Sequence, residues 1–240
     1  MVHLRNIGRN IIKEAYKIIF ISDSYKQLLF KKYLKNDDLN SIEKKSLIIP
    51  FGIDDFWIEN KSCKKDINNK GKIKLLYVGK INKNKNVIAP AKACEILIKR
   101  GYDVSFTVVG EIQDKNIFRK LMKYNFVNYI SFLPHEKLLN IFRENDIFIM
   151  TSFKESFGLV YAEAMSQGLP VIYTRGQGFD KQFKDGEVGY NVNPTDINEI
   201  VEKIIKIYDN YDYFTKNCSK LVDKFKWTNI TKKYLNVIKE

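Results

Sequence analysis

From residue 72 onward the chain switches repeatedly between two hydrophobic patterns. Short, nearly unbroken apolar runs occur at KIKLLYV (72–78), VSFTVV (104–109), YISFL (129–133), DIFIM (146–150) and PVIYT (170–174). Such runs, without polar alternation, predict strands covered on both faces of a sheet. Between them, at 87–101, 114–124, 135–145 and 156–168, apolar residues recur at helical spacing, with Gly101 and Gly168 as stop signals. VGYNV (188–192) reads as a last short strand, and INEIVEKIIKIY (197–208) as the first of the C-terminal helices. Strands alternating with helices imply parallel βαβ units with right-handed crossovers, an α/β fold. Ligands on such sheets bind beyond the carboxyl ends of the strands. The loops after Val78, Val109, Leu133, Met150 and Thr174 are therefore expected to share one rim.

The first part of the chain is less regular. KIIFI (17–21) is a short apolar run, SDS offers a helix cap, and YKQLLFKKYLK continues as a helix. SLII (46–49) leads into the turn signal Pro50-Phe51-Gly52, and residues 59–72 form a lysine- and asparagine-rich loop or linker. The strand–helix unit at 17–35 stands apart from the main rhythm. Alone it cannot bury its faces, so it must dock on something, in this chain or a partner.

A length of 240 residues suits one large domain or two smaller ones, and no run approaches the ~18 apolar residues of a membrane span. MVHLRNIGRNII is interrupted by polar residues, so no signal peptide is expected. Cys63, Cys94 and Cys218 are far apart and show no metal spacing, which suggests free thiols in a reducing compartment. The net charge of +13 fits attraction to anionic ligands, nucleic acid or acidic membranes, but also a lysine-, asparagine- and isoleucine-rich composition from an AT-rich genome. No nucleic-acid motif is present, so nucleic acid is not expected as a partner.

The richest stretch is TSFKESFGLVYAEAMSQGLPV (151–171), with Glu155 and Glu163 eight positions apart. Backbone amides at a helix start near Phe157 favour anions, and Gly158 permits close approach. Leu159, Ala162, Met165 and Leu169 read as its packing face. Taken alone, Glu155 reads as a helix-terminus charge and Glu163 as a solvated one sooner than as a working pair. The loop GKINKNKN (79–86) brings Lys80, Lys83 and Lys85 to the same rim, either as a solvated basic loop or as a phosphate site. Neither GxGxxG nor GxxxxGK[ST] occurs.

The order YVGKINKNKNV, FTVVGE, then SFLPHEKLLNIFRENDIFIMTSFKESFGLVYAEAMSQGLPVI resembles the C-terminal, donor-binding domain of GT-B-fold glycosyltransferases of family 4, the glycosyl transferases group 1. The likeness runs from about residue 47 to 225, and ESFGLVYAE fits the family's E-x7-E signature. The resemblance implies a Rossmann-like parallel sheet flanked by helices, and retaining sugar transfer from a nucleoside diphosphate sugar, UDP-linked by preference, with no metal or other cofactor. Glu155 would hydrogen-bond the donor sugar, the amides of Phe157, Gly158 and Leu159 would hold the diphosphate, and Glu163 would bind the ribose. Lys80, where the family has arginine, and Lys85 would neutralise the leaving diphosphate beside Gly79. Lysine acts there as a point charge rather than a two-bonded fork. Gly110 and the turn Leu133-Pro134-His135 would border the base, with His135 read as a polar turn residue. The E-x7-E segment argues against a related sugar-nucleotide epimerase.

The family's enzymes pair two similar domains, with the acceptor on the N-terminal one. Residues 1–50 resemble only its remnant and the crossover, with SLIIPFGID where the family has IPNGVD. Residues 51–225 would be the donor domain and 226–240 a C-terminal helix. The expected partners are a nucleotide sugar, a glycan or lipid-linked acceptor, and a partner chain supplying the acceptor domain. The expected location is the cytoplasm, at most peripheral at the inner face of the membrane. A nucleotide-sugar-binding module inactive without a partner is the other reading.

Overall fold

The apolar runs become one parallel sheet. The computed structural model describes residues 2–34, 36–63 and 72–239. The chain opens with α1 (Val2–Glu14), β1 (Ile18–Phe20), α2 (Asp23–Tyr33), α3 (Asn36–Lys44) and β2 (Ser46–Ile48). The short helix α4 (Asp55–Glu59) precedes β3 (Lys72–Val78), α5 (Ile88–Lys99), β4 (Asp103–Val109), α6 (Lys115–Leu121) and β5 (Val127–Ile130). Then follow α7 (His135–Glu144), β6 (Ile147–Met150), α8 (Leu159–Ser166), β7 (Val171–Thr174) and β8 (Gly189–Val192). Helices α9 (Ile197–Asp209), α10 (Tyr211–Leu221) and α11 (Trp227–Lys239) close the chain.

Among the described residues the main sheet has six strands in the order β5-β4-β3-β6-β7-β8, all parallel. Helices cover both faces, which is why every residue of β6 and β7 is buried and why these runs carry no alternation. Helix α5 packs on α9, and Arg100 reaches Glu202 at 2.7 Å across that seam.

Of the boundaries that differ from the sequence reading, two have a clear cause. The expected strand 129–133 lies instead at 127–130, because its ladder to β4 pairs Phe106 with Val127 and ends with Val109 against Ile130. Beyond it Phe132 is 77% exposed, so YISFL is apolar without being a buried strand throughout. The expected helix 156–168 starts only at Leu159, because Gly158 takes φ +83°, outside the right-handed helix. Much of the expected linker, residues 64–71, lies outside the described residues, and α3 and α4 were not anticipated.

The first strand–helix unit has a partner in this chain. Strand β1 pairs in parallel with β2, Ile18 opposite Ser46 through Phe20 opposite Ile48, so SLII is not merely a lead-in to a turn. Ser22 caps α2 by accepting from the Tyr25 amide at 3.0 Å. The unit docks on the segment after β7. Ser24 Oγ donates to the Asp180 carbonyl at 2.9 Å, and Gln182 Nε2 donates to the Ile21 carbonyl at 3.2 Å. Buried Lys26 ties α2 to α3 through Glu43 at 2.6 Å. The crossover is pinned from the C-terminal end. The Ile53 amide donates to the Phe225 carbonyl, and a Cβ on Gly52 would stand 2.6 Å from the Trp227 ring.

Candidate functional site

In the main sheet, β3 has β4 on one side and β6 on the other. The strands are added outward in opposite directions from that point, β4 and β5 on one side and β6 to β8 on the other, which makes it the topological switch point where ligands of such sheets bind, beyond the carboxyl ends of the strands. The lysine-rich loop follows β3, and the Glu155 loop follows β6.

Side-chain amides lock the two loops together. The Phe153 amide donates to the Asn84 carbonyl at 2.8 Å. Asn84 Nδ2 donates to the Lys154 carbonyl at 2.9 Å and its Oδ1 accepts from the Lys154 amide at 3.1 Å. Asn86, at φ +53°, donates from Nδ2 to the carbonyls of Thr151 and Pro194 at 3.1 and 2.8 Å. Asparagine tolerates this left-handed conformation better than most residues. The loop after β7 joins them. Gln177 Oε1 accepts from the Glu155 amide at 2.9 Å, and Gly178 lies so close that a Cβ there would fall 1.9 Å from the Ser156 carbonyl oxygen.

Within this frame Lys85 Nζ donates to Glu155 Oε2 at 2.6 Å. Their side chains are only 23% and 12% exposed, so neither charge is fully solvated. Tyr77 and Tyr161 lie beneath. Burial, with the nearby Glu155 charge adding to it, holds both phenols protonated far above their ordinary range. The Tyr77 hydroxyl donates to the Lys80 carbonyl and that of Tyr161 to the Met150 carbonyl. The Lys80 side chain is exposed and has no ionic partner among the described residues.

Gly79 and Gly110 meet at the ends of β3 and β4, where a Cβ on Gly110 would stand 2.1 Å from the Gly79 oxygen. Gly158 is the N-cap of α8 and lies against Glu155, since a Cβ there would be 3.3 Å from Glu155 Cγ. The orphan amides of the helix start are thus those of Leu159 and Val160, one position later than expected. Phe157 is 2% exposed, its ring edge-on to Phe51 of the crossover at 5.7 Å. Leu159 is 40% exposed at the rim, so it does not belong to the packing face with Ala162, Met165 and Leu169.

Glu163 stands a turn further along α8, on the side facing α4. It is not the solvated charge that its spacing allowed. Burial, with the charge of Asp54 adding to it, raises its carboxyl to about 7. Asp54 caps α4, accepting from the Phe56 amide at 2.9 Å. Leu133 is half-buried and Pro134 exposed ahead of α7, and the exposed His135 ring lies 5.1 Å from that of Trp57. The structure thus joins Lys85 to Glu155, Glu155 to Gly158, and Gly79 to Gly110. Asn84, Asn86, Gln177 and Asp54 complete the frame and were missed. The signal available for three of them was an asparagine-rich turn after a strand, and a glutamine between Gly176 and Gly178.

The family model described as glycosyl transferases group 1 matches residues 59–224. A Klebsiella pneumoniae protein described as an uncharacterized 41.2 kDa protein in cps region is 33% identical over 59% of this chain and 38% of its own length. The capsular polysaccharide biosynthesis glycosyltransferase CapM of Staphylococcus aureus is 25% identical over 82% of this chain and 53% of its own. The crystal structure of Anabaena HepE in complex with UDP and glucose superposes with a TM-score of 0.75 at 16% identity, over 100% of this chain and 67% of that one. The sheet and its helices match the GT-B glycosyltransferase architecture. The chain spans about half the length of the curated relatives it matches.

Proposed function

This chain belongs to the glycosyl transferases group 1 family, and we propose that it is the donor half of a retaining glycosyltransferase that binds a nucleoside diphosphate sugar, UDP-linked by preference. The observation that carries this reading is the Lys85–Glu155 pair, set at the switch point of the sheet beside the start of α8. A cation and a carboxylate held together there match the two ends of a sugar diphosphate. Lys85, with exposed Lys80 in support, faces the diphosphate, and the free amides at the start of α8, those of Leu159 and Val160 in place of the expected Phe157, Gly158 and Leu159 set, add fixed positive ends of dipoles. Glu155 accepts from the sugar hydroxyls, and Glu163 from those of the ribose. Gly79, Gly110, Leu133 and Pro134 line the approach to the base.

In the transfer, the bond from the anomeric carbon to the β-phosphate oxygen breaks, its electron pair leaving on the diphosphate. The acceptor hydroxyl oxygen bonds the anomeric carbon on the same face, and its proton passes to the departing phosphate oxygen. Preorganised cations lower this barrier by stabilising charge where it develops. The lysines and amides supply that charge, so the proposal calls for no metal ion. The acceptor is a glycan or a lipid-linked glycan, in keeping with the capsular polysaccharide description of the Staphylococcus aureus relative. Among the described residues no helix is long and apolar enough to cross a membrane. We place the protein in the cytoplasm, with peripheral contact to the inner face of the membrane.

The second reading is a nucleotide-sugar-binding module that is inactive without a partner chain carrying an acceptor domain. Incubating the chain with radiolabelled UDP-glucose and membrane glycolipid, with and without a candidate acceptor-domain chain, separates the two. Label transfer supports the enzyme reading. Nucleotide binding without transfer under every pairing supports the module.

A further inference from the structure

The crossover carries a residue that the donor reading leaves without a task. Where the family has asparagine, in IPNGVD, this chain has Phe51, in IPFGID. Ile49, Pro50, Gly52 and Ile53 around it are buried, whereas Phe51 is 41% exposed. A single exposed apolar side chain is ordinary on a protein surface. What singles this one out is its place.

Phe51 is held from both sides. Gly52 lies against the Trp227 ring, where a Cβ would have only 2.6 Å, and the Ile53 amide donates to the Phe225 carbonyl at 3.0 Å. The Phe51 ring meets that of Phe157 at 5.7 Å with the planes 78° apart. An edge-to-face pair of this kind covers at most one face of a ring. Phe157 is itself buried and stands in the chain between Glu155 and Gly158, so Phe51 borders the loop that carries the sugar carboxylate. Further along, Asp54 lies close enough to Glu163 for its charge to be felt there, and α4 packs on α8. The crossover therefore runs beside α8 from its start toward Glu163. That is the line from sugar to ribose in the donor reading, and Phe51 stands at the sugar end.

A pyranose carries hydroxyls around its rim and C–H bonds on its faces. The lysines, glutamates and amides that would hold the donor all bond its oxygen-bearing groups, and none of them covers a face of the sugar. An aromatic ring, apolar and negative on its face, complements such C–H bonds, and an asparagine does not. We propose that Phe51 is a specificity-determining residue for the donor: its free ring face packs against the C–H face of the donor's hexopyranose, while Glu155 holds that sugar's hydroxyls. The site then favours a nucleotide carrying its pyranose over the bare nucleotide. Because the crossover fixes the ring before the donor arrives, little freedom is lost when the contact forms. This assignment rests on the reading of Glu155 as the neighbour of the donor sugar.

The test is titration calorimetry of the whole chain with UDP, UDP-glucose and UDP-N-acetylglucosamine, and with GDP and GDP-mannose, each sugar nucleotide set against its own nucleotide. Three variants are compared, with thermal unfolding as the check on folding. Phe51→Asn restores the family's residue, Phe51→Leu keeps apolar packing on Phe157 without a ring, and Phe51→Tyr keeps the ring. The advantage of the best-bound sugar nucleotide over its nucleotide is expected to shrink about fivefold in Phe51→Asn and Phe51→Leu, the size of one aromatic contact. It should survive in Phe51→Tyr, and affinity for the bare nucleotide should hold in all three. An advantage unchanged in Phe51→Asn and Phe51→Leu would reduce Phe51 to packing of the crossover and overturn the proposal. A parallel loss for nucleotide and sugar nucleotide would overturn it too, since that marks a disturbed loop rather than a lost sugar contact. Nucleotide binding with no gain from any of the sugars would overturn it while the nucleotide site stands. No binding of any of these ligands by the unsubstituted chain would overturn the donor reading and the proposal with it.

Discussion

Lys85 and Glu155 lie 70 positions apart in sequence, yet their side chains meet at 2.6 Å across the crevice between β3 and β6. Each restrains the other where a donor would need both. A charge-assisted bond from Lys85 to a phosphate is worth about 1.5–3 kcal/mol, so Lys85→Ala is expected to weaken UDP binding by about ten- to a hundredfold. Lys85→Arg should recover part of the loss. Titration calorimetry with UDP reads both.

Glu155 is assigned to the sugar rather than to the nucleotide. Glu155→Gln should therefore lower the affinity for UDP-glucose more than that for UDP. The expected ratio of the two effects is at least about fivefold, the value of one neutral hydrogen bond. An equal effect on both ligands would move Glu155 from the sugar to the diphosphate. Competition binding with a fluorescent nucleotide is a suitable measure.

Glu163 gives a pH dependence with opposite signs for binding and stability. Its folded carboxyl is raised from the usual 4.5 to about 7, chiefly by burial. The native state therefore holds a proton that the unfolded chain releases, so this contribution to stability is full below about pH 4.5 and falls as pH rises through about 7. Ribose hydroxyls need the ionised acceptor. Affinity for UDP-glucose, whose diphosphate does not titrate in this range, should rise up to about tenfold from pH 6 to 8. Glu163→Gln should flatten both profiles, read by calorimetry and by thermal unfolding at each pH.

The strand and helix ends should respond unequally to added methyl groups. Gly110→Ala sets a Cβ 2.1 Å from the Gly79 oxygen at φ +147°, and Gly158→Ala sets one 2.5 Å from the Tyr161 ring at φ +83°. Tyr161 is buried and its hydroxyl is held by Met150, so it cannot give way. Each should destabilise by about 2 kcal/mol or more, whereas Gly101→Ala, with open space around it, should show only backbone strain of about 1 kcal/mol. Urea unfolding of the three variants tests the order.

Much of the sheet was legible because its strands are covered on both faces. KIKLLYV could hardly be anything else, and it ends at Gly79 as expected. YISFL misled by two residues because register, not hydrophobicity, ends a strand, and its partner β4 stops at Val109. SFGL looked helical because Phe157 and Leu159 are apolar, but the positive φ of Gly158 is a three-dimensional fact. The pairing of β1 with β2 joins segments that local pattern cannot connect. At the site, composition and spacing pointed to two loops. That one lysine of GKINKNKN closes on one glutamate of SFKES depends on asparagine and glutamine bonds between loops that leave no periodic trace.

The central claim is that loops 79–86 and 151–163 form one nucleotide-sugar site. Titration calorimetry of UDP, GDP and UDP-sugars against the chain and against Lys85→Ala and Glu163→Ala tests it most directly. Saturable binding of at least one nucleotide is expected, weakened at least tenfold in each variant with folding intact. Unchanged affinity in both variants, or no binding by the unsubstituted chain, would contradict it.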